Sequence, residues 1–199
     1  MTPIFSTAYL PPIAYVATLL QHPKTLIETK ETFPKQTYRN RTEIMTAGGV
    51  RTLSVPVLRN NHSRTEEVGI DYKERWNIIH LRTLTAAYSA SPYYLYYKDG
   101  LEALLMKRYD KLVDLNEAIL KWILQLLKTN CLLQKTDDYQ KEYALDYRNT
   151  FSPKVPYPTD HFTPYYQVFN DRIPFVPNLS ILDLLMNLGP EAKDYLNTL

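Results

Sequence analysis

The chain has 199 residues, 45% of them hydrophobic and 22% charged, enough to bury a sizeable core without disulfide or metal staples. Its 23 basic and 21 acidic residues leave a formal charge of +2, too small a field for a protein that holds nucleic acid through phosphate backbones. One cysteine, Cys131, excludes an intrachain disulfide framework, and with four scattered histidines it offers no zinc-ligand spacing, so no metal is expected.

The start, Met1-Thr2-Pro3-Ile4, lacks a basic leader region, and the apolar run over residues 13–20 is too short to cross a bilayer. The expectation is one cytoplasmic domain over residues 1–199, without a membrane span. Residues 4–9 read as a short apolar strand that Pro11-Pro12 stops. Residues 13–21 recur with helical spacing until His22-Pro23, and residues 25–28 read as a second strand. Strand, short helix and strand in this order predict a parallel pair. Extended patterns at 41–47 and 50–58 flank Gly48-Gly49 and predict a hairpin, with Pro56 at an edge or strand end because it cannot donate to a ladder. Residues 60–65 form a polar loop and 67–70 a further strand.

Asp71-Tyr72-Lys73-Glu74 has the form of a capping box, which predicts a helix from there to Ser89. Residues 101–109 and 112–128 are also helical, and in the second Leu112, Leu115, Ile119, Trp122, Ile123 and Leu126 form one apolar stripe. From 130 to 177 periodicity fades while prolines gather at 153, 156, 158, 164, 174 and 177. That stretch predicts a long wrapping segment, and its aromatic rings predict that it lies against the domain. Ser180-Ile181-Leu182-Asp183 is again a capping-box pattern, opening a helix apolar on all sides that Gly189-Pro190 stops before a last helix over 191–199. The fold class is therefore α/β, with an N-terminal strand-helix-strand unit, a mixed sheet, flanking helices and a Pro/Tyr-rich wrapping segment.

Five glycines build neither a Gly-x-Gly-x-x-Gly turn nor a Walker-type phosphate loop, and Gly-x-Ser-x-Gly is missing. What remains is Lys35-Gln36-Thr37-Tyr38-Arg39-Asn40-Arg41, three cations among hydroxyl and amide donors. Such a set suits a phosphate or carboxylate, and a solvated basic turn is the alternative. His80 stands one helical turn after Trp76, on an apolar face, where it reads either as a core histidine or as a general base or acid facing a cleft. Tyr93-Tyr94-Leu95-Tyr96-Tyr97 and Tyr165-Tyr166-Gln167 suit a sugar or nucleotide face, and equally an edge strand or the boundary between core and solvent, and Asp146 with Arg148 reads as a local ion pair.

In these residues the chain resembles the WbqC-like family, which is associated with bacterial polysaccharide and O-antigen biosynthesis. The resemblance is carried by Tyr9-Leu10-Pro11, Tyr38-Arg39-Asn40-Arg41, Leu53-Ser54-Val55-Pro56-Val57, Trp76 with His80, and Ala87-Tyr88-Ser89-Ala90-Ser91-Pro92-Tyr93. It continues in Asp114-Leu115-Asn116, Tyr166-Gln167-Val168-Phe169 and Pro177-Asn178-Leu179-Ser180-Ile181-Leu182-Asp183-Leu184-Leu185. The resemblance implies a transferase that moves a small acyl or glycine-like group or acts on a nucleotide sugar, the alternative being a non-catalytic module for a polysaccharide precursor or partner protein. Its ligand is a small anionic or sugar-containing molecule. On this reading Lys35, Arg39 and Arg41 neutralise an anion, Asn40 orients it, and His80 is the base. Tyr88 and Tyr166 serve as sugar platform or proton relay, and Trp76, Asn116 and Gln167 complete the substrate site.

Overall fold

The computed structural model describes residues 1–199. In chain order the elements begin with β1 (Ile4–Ser6), α1 (Ile13–Leu20), β2 (Lys24–Glu28), β3 (Arg41–Thr46), β4 (Gly49–Ser54), β5 (Val57–Leu58) and β6 (Gly69–Ile70). They continue with α2 (Trp76–Tyr88), α3 (Tyr94–Met106), α4 (Leu112–Leu126), β7 (Leu132–Lys135), α5 (Ile181–Leu188) and α6 (Ala192–Leu196). The class is α/β, with parallel and antiparallel strands in small sheets.

The parallel sheet runs β1-β2-β7, with Ile4 opposite Leu26 and Ile27 opposite Lys135. Residues 145–147 add to its open edge: the Ile4 amide donates to the Leu145 carbonyl (2.9 Å) and the Tyr147 amide to the Ile4 carbonyl (2.8 Å). β3 and β4 form the hairpin, closing at Thr46 opposite Gly49, whose φ of 99° suits a residue without a Cβ. β7 lies inside the stretch where no regular element is expected. It is four residues long and mostly exposed, so it shows no alternation for a pattern to detect, and its hydrogen bonds to β2 alone define it.

Two capping boxes read from the sequence are not completed in the structure. The Asp71 carboxylate accepts the Lys73 amide at 2.9 Å in a tight turn, the Asp71 amide donates to the Pro56 carbonyl beside β5, and α2 begins only at Trp76. At α5 the Ser180 hydroxyl does accept the Leu182 amide, but Asp183 does not reach back to complete the box. Its buried carboxylate instead takes hydrogen bonds from the Tyr165 hydroxyl (2.6 Å) and the Gln167 amide (2.8 Å), tying the wrapping segment to α5. Asn178 caps α1 from the same segment, its side-chain oxygen accepting the Ala14 amide at 2.9 Å.

A cluster of 41 buried residues forms the core, to which α1, α4 and α5 present their apolar faces. In α4, Leu112, Leu115, Ile119 and Ile123 all point inward, as the stripe predicts. α3 approaches α4 closely at Gly100, where a Cβ would stand 2.6 Å from Trp122 Nε1. α3 itself starts at the tyrosine cluster, seven residues earlier than its apolar periodicity suggests, with Tyr94 buried and its hydroxyl 2.8 Å from that of Thr85.

Charge is also buried. Glu28, at the end of β2, is fully enclosed, and its carboxylate faces Arg148 Nη1 at 3.2 Å while accepting the Thr136 hydroxyl (2.9 Å) and the Lys30 amide (2.7 Å). Arg148 also holds Asp146, keeping that carboxyl below its ordinary value, and donates to the carbonyls of Gln140 (2.8 Å) and Lys141 (3.0 Å). The rings of Tyr139 and Tyr143 cover the guanidinium. Removing one partner of a buried pair leaves an uncompensated charge. Arg148→Ala is therefore expected to lower the urea-unfolding free energy by about 3–5 kcal/mol, whereas Lys121→Ala, which breaks the exposed pair with Glu117, moves it by less than about 1 kcal/mol.

Candidate functional site: a basic cleft beside the hairpin

The segment 35–41 is pinned by five other residues. The Arg39 side chain, 2% exposed, forms an ion pair with Glu31 at 2.7 Å and reaches the Arg148 carbonyl at 3.4 Å. Burial lifts the Glu31 carboxyl above the usual carboxylate range, with Arg39 pulling against it. The Arg39 carbonyl accepts the Asn116 side-chain amide at 2.8 Å, and the Tyr38 carbonyl accepts the Tyr9 amide at 2.8 Å. Asn40 is fastened to Val55 twice, through its side chain (2.9 Å) and its carbonyl (2.8 Å). Arg39 is thus committed to the interior, and Lys35 and Arg41 are left to face a cleft.

That cleft has a volume of about 510 Å³ and is lined by Lys35, Gln36, Asn40 and Arg41 from the pinned segment, with Phe33, Val57, Arg59 and Lys154 around them. Four of these eight residues are cationic and none is acidic. Lys35, Arg41, Arg59 and Lys154 take part in none of the chain's ion pairs. Lys154 Nζ donates to the Lys35 carbonyl at 2.8 Å and Arg59 lies 5.6 Å over the Phe33 ring, so both are held at the rim. Arg41 Nε is buried without a hydrogen-bond partner. A guanidinium nitrogen withdrawn from water with nothing to donate to is costly. A second groove of about 290 Å³ adjoins this one across Lys154, and Tyr38 and Glu43 line it with the prolines of the wrapping segment.

A third cleft, of about 310 Å³, opens at the carboxyl ends of β1 and β2, between the sheet and α4, and Asn116 is in its wall. Ligands of open α/β sheets bind at such strand ends.

The sequence-named residues therefore separate. Lys35, Asn40 and Arg41 share the basic cleft, Arg39 lies beneath it, and Asn116 belongs to the strand-end cleft. His80 and Trp76 are in the core and line neither of these. The Tyr9 hydroxyl lies 2.9 Å from His80 Nδ1, and the Trp76 ring stands edge-on at 5.1 Å. Tyr88 is buried near Asp183, Gln167 ties Asp183 to the Val176 main chain, and Tyr166 is 64% exposed. Arg59, Lys154 and Phe33 escape sequence reasoning. Arg59 carries a weak signal, a cation just past the hairpin, and Lys154 none, since it reaches the cleft from 119 residues along the chain. No group of three or more His, Cys, Asp or Glu side chains is placed to hold a metal ion.

Burial lowers the His80 pKa to about 4, with the Arg51 charge adding to the effect and a hydrogen bond to the Ser54 backbone opposing it. A histidine that ionises near 6.5 when unfolded and near 4 when folded stabilises the fold fully above 6.5, and that contribution fades as pH falls toward 4. His80→Gln is expected to cost about 2 kcal/mol at pH 7, a difference that narrows as urea unfolding is repeated down to pH 4.5. A difference independent of pH contradicts a buried neutral imidazole.

The sequence profile of the WbqC-like protein family matches residues 7–150 and 152–195. An uncharacterized protein of Mycobacterium tuberculosis is 29% identical over 196 residues, covering 82% of this chain and 83% of its own. No solved structure matches the chain.

Proposed function

We propose, for a chain that belongs to the WbqC-like protein family, a small transferase of bacterial cell-surface polysaccharide (O-antigen) biosynthesis that holds an anionic donor in the basic cleft. The donor is a nucleotide sugar or an activated acyl or aminoacyl group, and its phosphate or carboxylate lies against Lys35, Arg41, Arg59 and Lys154. One observation carries the anion: four cations and no acidic residue line one cleft, and a buried guanidinium nitrogen among them has no partner. The transfer step is supported by the family resemblance and by a further cleft adjoining the Arg39–Arg41 stretch through Asn116, which gives two reactants separate places. His80 acts in this reading as a positioning residue. It holds the Tyr9 side chain, and the Tyr9 amide holds the Tyr38 carbonyl.

The second reading, a binding module without turnover, is favoured by the lining itself. No carboxylate, histidine, cysteine or serine stands in the basic cleft to accept a proton from an attacking group.

The anion is tested by titrating the protein with pyrophosphate and with UDP-N-acetylglucosamine while following its melting temperature and the heat of binding. Both are expected to stabilise the wild type. Arg41→Gln and Lys154→Gln, each folded, are expected to weaken binding about tenfold, as loss of one charge-assisted hydrogen bond implies. Melting temperatures that no anion moves, or affinities that neither substitution changes, contradict the proposal. Release of UDP or of a free acyl group in the presence of acceptor sugars then separates the transferase from the module.

A further inference from the structure

We infer that the strand-end cleft is a second ligand site, and that it takes an uncharged chain carrying amide or hydroxyl groups on a branched aliphatic body, the chemistry of the pantetheine arm of acyl carriers. Its walls set the class. Ile27 and Leu133 face it from the sheet and Val113 and Leu120 from α4, and no aromatic ring lines it. Aliphatic surfaces on both sides accept branched methyl and methylene groups, whereas sugar rings and bases are usually held on aromatic faces.

The polar groups are hydrogen-bonding rather than charged. Thr7 follows β1, Thr29 follows β2, and Gln134 stands near the end of β7, so all three parallel strands contribute. The cleft's two charges already have partners: Lys135 lies 2.7 Å from Glu117 and 3.5 Å from Asp114, and Glu117 also lies 2.6 Å from Lys121. The site therefore offers a ligand no net charge, in contrast to the basic cleft.

Asn116 supplies the unmet demand. It is 2% exposed, and its amide nitrogen is spent on Thr7 Oγ1 (3.1 Å) and the Arg39 carbonyl (2.8 Å). Its side-chain oxygen is buried with no donor. An N–H or O–H of an amide- or hydroxyl-bearing ligand satisfies it after a small shift of the side chain. The volume of about 310 Å³ is at the lower end of small-molecule sites, the size for one arm rather than a whole nucleotide carrier.

Because Asn116 bonds the Arg39 carbonyl, this site and the basic cleft both adjoin the Arg39–Arg41 stretch. The inference stands on the strand-end cleft alone and does not require the anion reading.

The test is a methyl-detected NMR titration with pantetheine, with N-acetylglucosamine and pyrophosphate as separate probes. Pantetheine is expected to shift the methyl signals of Ile27, Val113, Leu120 and Leu133, and N-acetylglucosamine is not. Leu133→Trp, which fills the cleft from a half-buried position, is expected to weaken pantetheine binding at least tenfold. Thr29→Val, which keeps side-chain volume and removes one hydroxyl, is expected to weaken it about fivefold and serves if the tryptophan variant does not fold. Arg41→Gln is expected to leave it unchanged. Methyl signals that pantetheine does not move, N-acetylglucosamine as the better ligand of this cleft, or affinities equal in wild type and Thr29→Val overturn the inference. A pyrophosphate response that persists without a pantetheine response leaves the basic cleft standing and removes this site.

Discussion

Two buried arginines hold this structure in register. Arg148 meets Glu28 at the end of β2, and Arg39 meets Glu31 three residues on, with the Arg39 guanidinium also reaching the Arg148 carbonyl. Four charged groups, three of them nearly sealed from water, are tolerable only because each finds an opposite charge and the remaining donors find carbonyls. The arrangement joins the carboxyl end of the central strand β2 and the 35–41 segment just after it to the wrapping segment that begins past β7. From the Arg39 main chain the constraint passes to Asn116 of α4, and from Asn40 to Val55 at the end of the hairpin. Both clefts are built on these ties.

Much of the architecture was legible because it rests on apolar pattern and on residues that break it. The strand-helix-strand unit, the hairpin around its glycine pair and the α4 stripe follow from hydrophobic period and from Pro and Gly placement. What failed did so for a tertiary reason. The Asp71 and Asp183 carboxylates both had the look of helix-start residues, yet one closes a tight turn and the other is used by Tyr165 and Gln167. β7 is a strand by virtue of its neighbour, not its composition.

The site was legible in part. Cations clustered within seven residues pointed to an anion, but the sequence could not say that Arg39 turns inward while Arg41 lines the cleft, because that choice is made by Glu31 and the Arg148 carbonyl. Nor could it bring Lys154 across from the wrapping segment, or show that His80 is enclosed with Tyr9 and Trp76. Asn116 was visible only through a family motif. Its physical place, bonded to Thr7 and to the Arg39 carbonyl with one oxygen left over, belongs to the fold.

The central claim is that the buried ion pairs position the basic cleft, and Glu31→Ala tests it with opposed signs. Deleting a negative charge near a cationic cleft should, by Coulomb attraction alone, tighten anion binding. If Arg39 instead needs Glu31 to hold the segment, releasing it disorders Asn40 and Arg41 and binding weakens. Calorimetric titration of the folded Glu31→Ala protein with pyrophosphate is predicted to give an affinity about tenfold below wild type; an affinity equal to or above wild type would contradict the account.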